Sequence, residues 1–231
     1  MKHVSVIQHT QSEWLGHIED HLEARGVRFS YIRPFVNGGK FPSPTVLGDG
    51  LILVGGGRWG ASTAGHLLPT LEEEVRLVRA CLMLDKPVLA MGVGSQILSL
   101  AGDGQVEAAP LSFKVGMATR VCEDALEGFM PATFPNIVFM QDRPLPPHYA
   151  KTLAVDEDGA VAAFQIGRNA FGFSGHPGLR RAMMEDLVME LDEVPDGVAD
   201  NLETLGAWNA RIEDALVPIM TGLVRHTGWM T

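Results

Sequence analysis

The sequence predicts an α/β fold: a doubly wound, mostly parallel sheet flanked by helices in the flavodoxin-like manner. Three observations carry this. The chain opens with an apolar stretch, an amphipathic stretch and a second apolar stretch over residues 3–32, which is a βαβ start. A later apolar run, residues 51–54, ends in Gly55, Gly56 and Gly57, and glycines at a strand's C-terminal end let backbone approach a ligand. A third apolar run, residues 87–91, passes through Gly92 and Gly94 straight into an apolar helix.

In order, residues 3–8 read as a buried strand, and a helix through Trp14, Ile18 and Leu22 stops at Gly26. Residues 27–32 form the second strand, and residues 34–50, rich in proline and glycine, form a surface loop. Thr70 and Glu73 have capping-box spacing, and Leu71, Val75, Val78 and Leu82 continue at helical spacing. Residues 103–137 are punctuated by glycine and proline and read as short strands. Residues 153–164 read as a hairpin turning near Asp158 and Gly159, and residues 170–173 as another strand. Residues 179–191 are amphipathic, with Met183, Met184 and Leu187 as core filling. A last helix through Leu205, Trp208, Ile212, Leu216, Ile219 and Leu223 contains Pro218, which should kink it. The organisation expected is one domain over residues 1–194 and a helical extension over 195–231 that packs on the domain or on a partner.

The chain has 231 residues, a net charge of −10 and a pI near 5.2, which argues against nucleic acid as a partner. No run is long and apolar enough for a membrane span, and no basic segment precedes an apolar one at the N-terminus. A cytoplasmic protein is expected, with Cys81 and Cys122 as free thiols. No cofactor or metal is expected. His17 and His21 stand four apart, but a solvated helix face explains them better than a metal pair.

Taken together, five stretches resemble the class I glutamine amidotransferase family, especially proteins similar to the amidotransferase domain of GMP synthase. They are the strand into Gly55 and Gly56, the glutamate-rich helix from Leu71, the corner at Gly92 with Gln96 behind it, the Leu145-Pro146 pair, and His176-Pro177. A strand-to-helix corner of this kind presents a nucleophile and turns the next N–H toward an oxyanion. The resemblance implies a catalytic cysteine at position 92, its histidine at 176 and the orienting glutamate at 178. This chain has Gly92, His176 and Gly178 there. Losing the nucleophile of such a unit costs about 10⁶ in rate, so ordinary glutaminase activity is not expected.

The resemblance also implies an oxyanion hole from the Gly56 and Val93 N–H groups, with Gly55 beside them and Gln96 holding the ligand. Lys114 and Met140 stand where the family commonly has a glutamate and a histidine, which suggests a remodelled recognition surface. Ser95 reads as a helix cap, Cys81 lies away from the cleft, and His9 and His66 fall near the open end of the sheet. The first expectation is therefore a protein that binds a small metabolite or a partner protein through the former cleft and that could pair as a homodimer. The alternatives are an enzyme of altered chemistry on an amide or amine metabolite, using His176 and the oxyanion-hole amides, and a structural or regulatory subunit.

Overall fold

The computed structural model describes residues 1–38 and 40–229. The opening βαβ is β1 (His3–Ile7), α1 (His17–Ala24) and β2 (Arg28–Ile32), followed by a short α2 (Pro34–Asn37). β3 (Gly50–Leu53), α3 (Leu71–Met83), β4 (Val88–Met91) and α4 (Val93–Ala101) build the glycine-lined edge. The rest comprises β5 (Gln105–Glu107), β6 (Ser112–Arg120), β7 (Thr133–Met140), β8 (Arg143–Leu145), β9 (Lys151–Asp156), β10 (Val161–Ile166), β11 (Ala170–Phe173), α5 (Arg181–Met189), α6 (Val198–Ala207) and α7 (Asn209–His226).

The main sheet has nine strands in the order β2-β1-β3-β4-β11-β10-β9-β6-β7. Pairing is parallel from β2 to β11 and antiparallel from β11 to β7. The parallel half is covered on both faces, which is why its strands read as unbroken apolar runs. Ile52, Val54, Leu89 and Met91 pack with Ile18 and Leu22 of α1 and Leu216 and Leu223 of α7. The alternate residues Leu51, Leu53, Val88 and Ala90 pack with Val78 of α3 and Ile97 of α4. A third cluster joins Phe113, Ile137 and Phe139 to Met183, Met184 and Leu187 of α5. No helix among the described residues is long and apolar enough to cross a membrane.

Four details differ from the sequence expectations. Helix α1 begins only at His17, because Gly16 takes φ 59° and ψ −129° and breaks the path from Trp14. Thr70 makes no side-chain cap; its hydroxyl donates instead to Glu74 Oε1 at 2.6 Å. Residues 103–137 hold long strands, β6 and β7, whose cross-strand register runs from Ser112–Met140 to Thr119–Thr133. The last helix is two, α6 and α7, meeting at Trp208, and α7 continues through Pro218.

Candidate functional site at the strand-to-helix corner

β4 hands over to α4 at Gly92, whose φ of 56° and ψ of −125° form the strained corner that presents a nucleophile where one exists. Its N–H donates to the Phe173 carbonyl at 3.1 Å. Its carbonyl takes the Ser95 N–H at 2.9 Å and the Ser95 hydroxyl at 2.6 Å, so Ser95 is spent closing the first helical turn. The glycines around the corner allow close packing: a Cβ on Gly94 would lie 2.7 Å from Leu53 Cβ, and one on Gly56 would lie 2.6 Å from Val93 Cγ1. Among the described residues, the Gly56 and Val93 N–H groups have no intramolecular hydrogen bond.

A carboxylate fills the space in front of this corner. Glu13 is 2% exposed, and its Oε2 accepts the Gly57 N–H at 2.5 Å. Its Oε1 lies where a Cβ on Gly55 would fall, so a side chain at 55 would push the Glu13 carboxyl away. Burial pushes the Glu13 carboxyl up from its usual 4.5 to about 7, against the pull of the Gly57 N–H and of His9. What remains beside Gly92 is a cavity of about 10 Å³ walled by Glu13, Gly55, Ile137, His176 and Leu179. That is room for about one water.

His176 lines the same cavity but is tied to backbone on both nitrogens. Nε2 donates to the Trp14 carbonyl at 2.7 Å, and Nδ1 accepts the Gly178 N–H at 3.2 Å. These two bonds fix one tautomer, and burial lowers the ring's pKa to about 4, so the imidazole is neutral at pH 7. The Gly178 position is closed: a Cβ there would lie 2.7 Å from Ile18 Cγ1 and 3.1 Å from the Ile18 nitrogen. The Gly178 carbonyl accepts the His17 N–H at 2.8 Å, which ties α1's first turn to the loop after β11.

The segment after Gly57 roofs the corner. Gln96 is fully buried; its Oε1 accepts the Ala61 N–H at 2.9 Å and its Nε2 donates to the Gln141 carbonyl at 2.6 Å. Each end of its amide is therefore engaged with the roof. Asp142, at φ 64°, accepts the N–H groups of Ser62 at 2.8 Å, Thr63 at 2.9 Å and Ala109 at 3.2 Å, and also the Thr63 hydroxyl. Burial opposes its charge, but these donors outweigh it and hold the Asp142 pKa below the usual carboxylate range.

No protein-family model and no curated protein sequence matches the chain. Solved structures do. A glutamine amidotransferase from Thermotoga maritima superimposes with a TM-score of 0.81 at 22% identity, covering 98% of each chain. One from Methylobacillus flagellatus gives 0.82 at 20% identity, covering 98% of this chain and 95% of that one. A putative GMP synthase component from Thermoplasma acidophilum gives 0.57 at 16% identity, covering 93% of this chain and 98% of that one. The fold is that of the glutamine amidotransferases.

Within this amidotransferase fold the structure brings Gly55, Gly56, Gly92, Val93 and His176 together, and Gln96 stands behind them in the roof. Beside them a groove of about 280 Å³ lies between the β6–β7 and β9–β10 hairpins. Lys114, Arg143, Asp156 and Asp158 line it, with Lys114 Nζ 3.0 Å from Asp158 Oδ2. Ser174 lines both the groove and the small cavity.

Sequence reasoning missed Glu13, Glu74 and the anchoring role of Asp142. His9, just past β1, is buried against Glu74 of α3, Nε2 to Oε2 at 2.7 Å, with Nδ1 facing the Val54 and Gly55 carbonyls at 3.0 and 3.2 Å. Burial works against a charge on His9, but the Glu74 carboxylate outweighs it and the pKa is raised. The remaining candidates lie elsewhere. Cys81 is buried on α3, and burial pushes its thiol up to about 11; the Cys122 Sγ donates to Asp124 at 2.7 Å; His66 is exposed. His17 faces Asp20 and Glu213, His21 faces Arg25, and no metal-binding group of three side chains occurs among the described residues.

Proposed function

We propose that this protein is an amidotransferase-like binding protein without glutaminase activity, and that its ligand is a small zwitterionic metabolite carrying a carboxylate. The observation that supports it most is Glu13: the glycine corner retains the backbone of a nucleophile site, carries no nucleophile, and already holds a carboxylate on the Gly57 N–H. A ligand carboxylate or carbonyl entering past Ser174 would take that place and would also meet the Gly56 and Val93 amides. The adjoining groove supplies both signs of charge, Lys114 and Arg143 against Asp156 and Asp158, which suits an amino-acid-sized zwitterion. The elbow cavity holds about one water with Glu13 in place, so binding requires Glu13 to move aside. The free thiols of Cys81 and Cys122 fit a reducing, cytoplasmic setting.

The test combines two measurements on the purified chain. Glutamine hydrolysis should not exceed that of a His176→Ala control. Calorimetry against the common amino acids should find a ligand whose affinity falls at least about tenfold in Arg143→Ala, the loss of one charge-assisted contact. Hydrolysis above the control, or no amino acid bound, overturns the reading.

A further inference from the structure

A second crevice, separate from the Gly92 corner, lies where the sheet changes direction. The chain leaves β1 to pair with β2 on one side and returns as β3 on the other, so the C-terminal ends of β1 and β3 form the topological switch point of the parallel half. Open α/β sheets bind ligands at such points. Here the crevice is a cavity of about 360 Å³, within the ordinary range for a small-molecule site, with His9, Phe35, Arg58, Trp59, Leu187 and Glu190 on its walls.

The chemistry of the walls is specific. Arg58 is exposed, and its guanidinium carbon stands 4.7 Å from the Trp59 ring centroid; among the described residues it has no carboxylate within salt-bridge distance. A guanidinium spread over an indole is a preformed planar cation with its donors unspent. Phe35, 44% exposed, and Leu187 add apolar wall. Glu190, which accepts the Ser12 hydroxyl, puts one negative charge on the rim. The His9 ring at the floor is committed to Glu74 and to two carbonyls, so it shapes the cavity and offers no further donor.

We propose that this crevice is a second ligand site, for a small planar monoanion of the aromatic or heteroaromatic carboxylate class. The ring lies against Trp59 and Phe35, and the carboxylate takes the Arg58 fork. Glu190 disfavours a second negative charge on the ligand and so selects monoanions over dianions.

Calorimetry of the full chain with indole-2-carboxylate, benzoate, cyclohexanecarboxylate and the dianion phthalate tests this. The two aromatic monoanions should bind, and the saturated ring and the dianion should bind at least about tenfold more weakly. Arg58→Ala and Trp59→Leu should each weaken indole-2-carboxylate about tenfold or more, and Arg58→Lys should weaken it by a smaller factor, because a point charge lacks the fork. Lys114→Ala, in the groove beside Gly92, should leave it unchanged, which separates this site from the one proposed above. Arg58 is exposed, so Arg58→Ala and Arg58→Lys report on binding even if Trp59→Leu folds poorly. The proposal is overturned if indole-2-carboxylate gives no heat up to about 10 mM, a bound far weaker than an ion pair on an aromatic wall should give. It is equally overturned if binding survives Arg58→Ala or is lost in Lys114→Ala.

Discussion

Glu13→Gln gives the sharpest test of the corner, because two buried groups there titrate with opposite consequences. Glu13 has a folded-state pKa near 7 against its usual 4.5. The folded chain therefore holds this proton more tightly, and the stabilisation is complete below pH 4.5 and lost as pH rises to about 7. At about 1.4 kcal/mol for each pH unit the loss comes to about 3 kcal/mol. His176 runs the other way: its pKa falls from 6.5 to about 4, so its contribution is present above pH 6.5 and lost as pH falls toward 4, again about 3 kcal/mol. Between pH 4.5 and 6.5 the two slopes oppose each other, and the pair contributes little net pH dependence to the wild type. Glutamine at position 13 still accepts the Gly57 N–H but does not titrate, so Glu13→Gln unmasks the His176 slope. Urea unfolding of both proteins at half-unit steps from pH 4.5 to 7.5 should show Glu13→Gln gaining about 3 kcal/mol relative to wild type across the range. A difference that stays constant with pH would refute the buried Glu13 whose pKa burial raises to about 7.

Three further predictions concern the same neighbourhood. Installing the two side chains that the resemblance implies should not confer activity: Gly92→Cys with Gly178→Glu should show no glutamine hydrolysis above a Gly92→Ala control in a coupled glutamate assay. The Gly178→Glu change alone should cost about 1–3 kcal/mol in urea unfolding, because its Cβ lands 2.7 Å from Ile18 Cγ1. In the roof, Asp142→Asn keeps a residue that tolerates positive φ but removes the charge that gathers three amides and a hydroxyl. It should cost about 1.5–3 kcal/mol and speed amide hydrogen exchange at Ser62 and Thr63 while leaving β1 unaffected.

Those features of the corner that depend on local pattern were legible in the sequence. The strand into Gly92 and Gly94, the glycines at 55–57 and the apolar face of α3 all announce themselves within a dozen residues, and the structure puts them where that pattern requires. What fills the corner was not legible, because it depends on contacts across the chain. Glu13 reaches Gly57 over 44 positions, and His9 reaches Glu74 over 65. The apolar spacing of Trp14, Ile18 and Leu22 also misled, by placing Glu13's neighbourhood on a helix that starts only at His17. Gly16 was the available signal, since a glycine inside a helical pattern marks a break as readily as a tolerated substitution.

Glycine at position 178 and the placement of Glu13 in the corner are structurally linked. The loop before α1 is fastened to the loop after β11 by two bonds, His17 N–H to the Gly178 carbonyl and His176 Nε2 to the Trp14 carbonyl. Both fastenings need small residues. A Cβ on Gly16 would fall on the Gly178 carbonyl oxygen, and a Cβ on Gly178 would strike Ile18. A glutamate at 178 would therefore hold the loops apart, and Glu13, three residues before Gly16, could not reach Gly57. With glycine at both positions the loops close, His176 Nε2 takes the Trp14 carbonyl, and the Glu13 carboxyl from the first loop takes the Gly57 N–H. The corner thus holds one buried acid, Glu13, beside the glycine turn, and a backbone carbonyl on His176 Nε2. There Glu13 accepts the Gly57 N–H and orients no base.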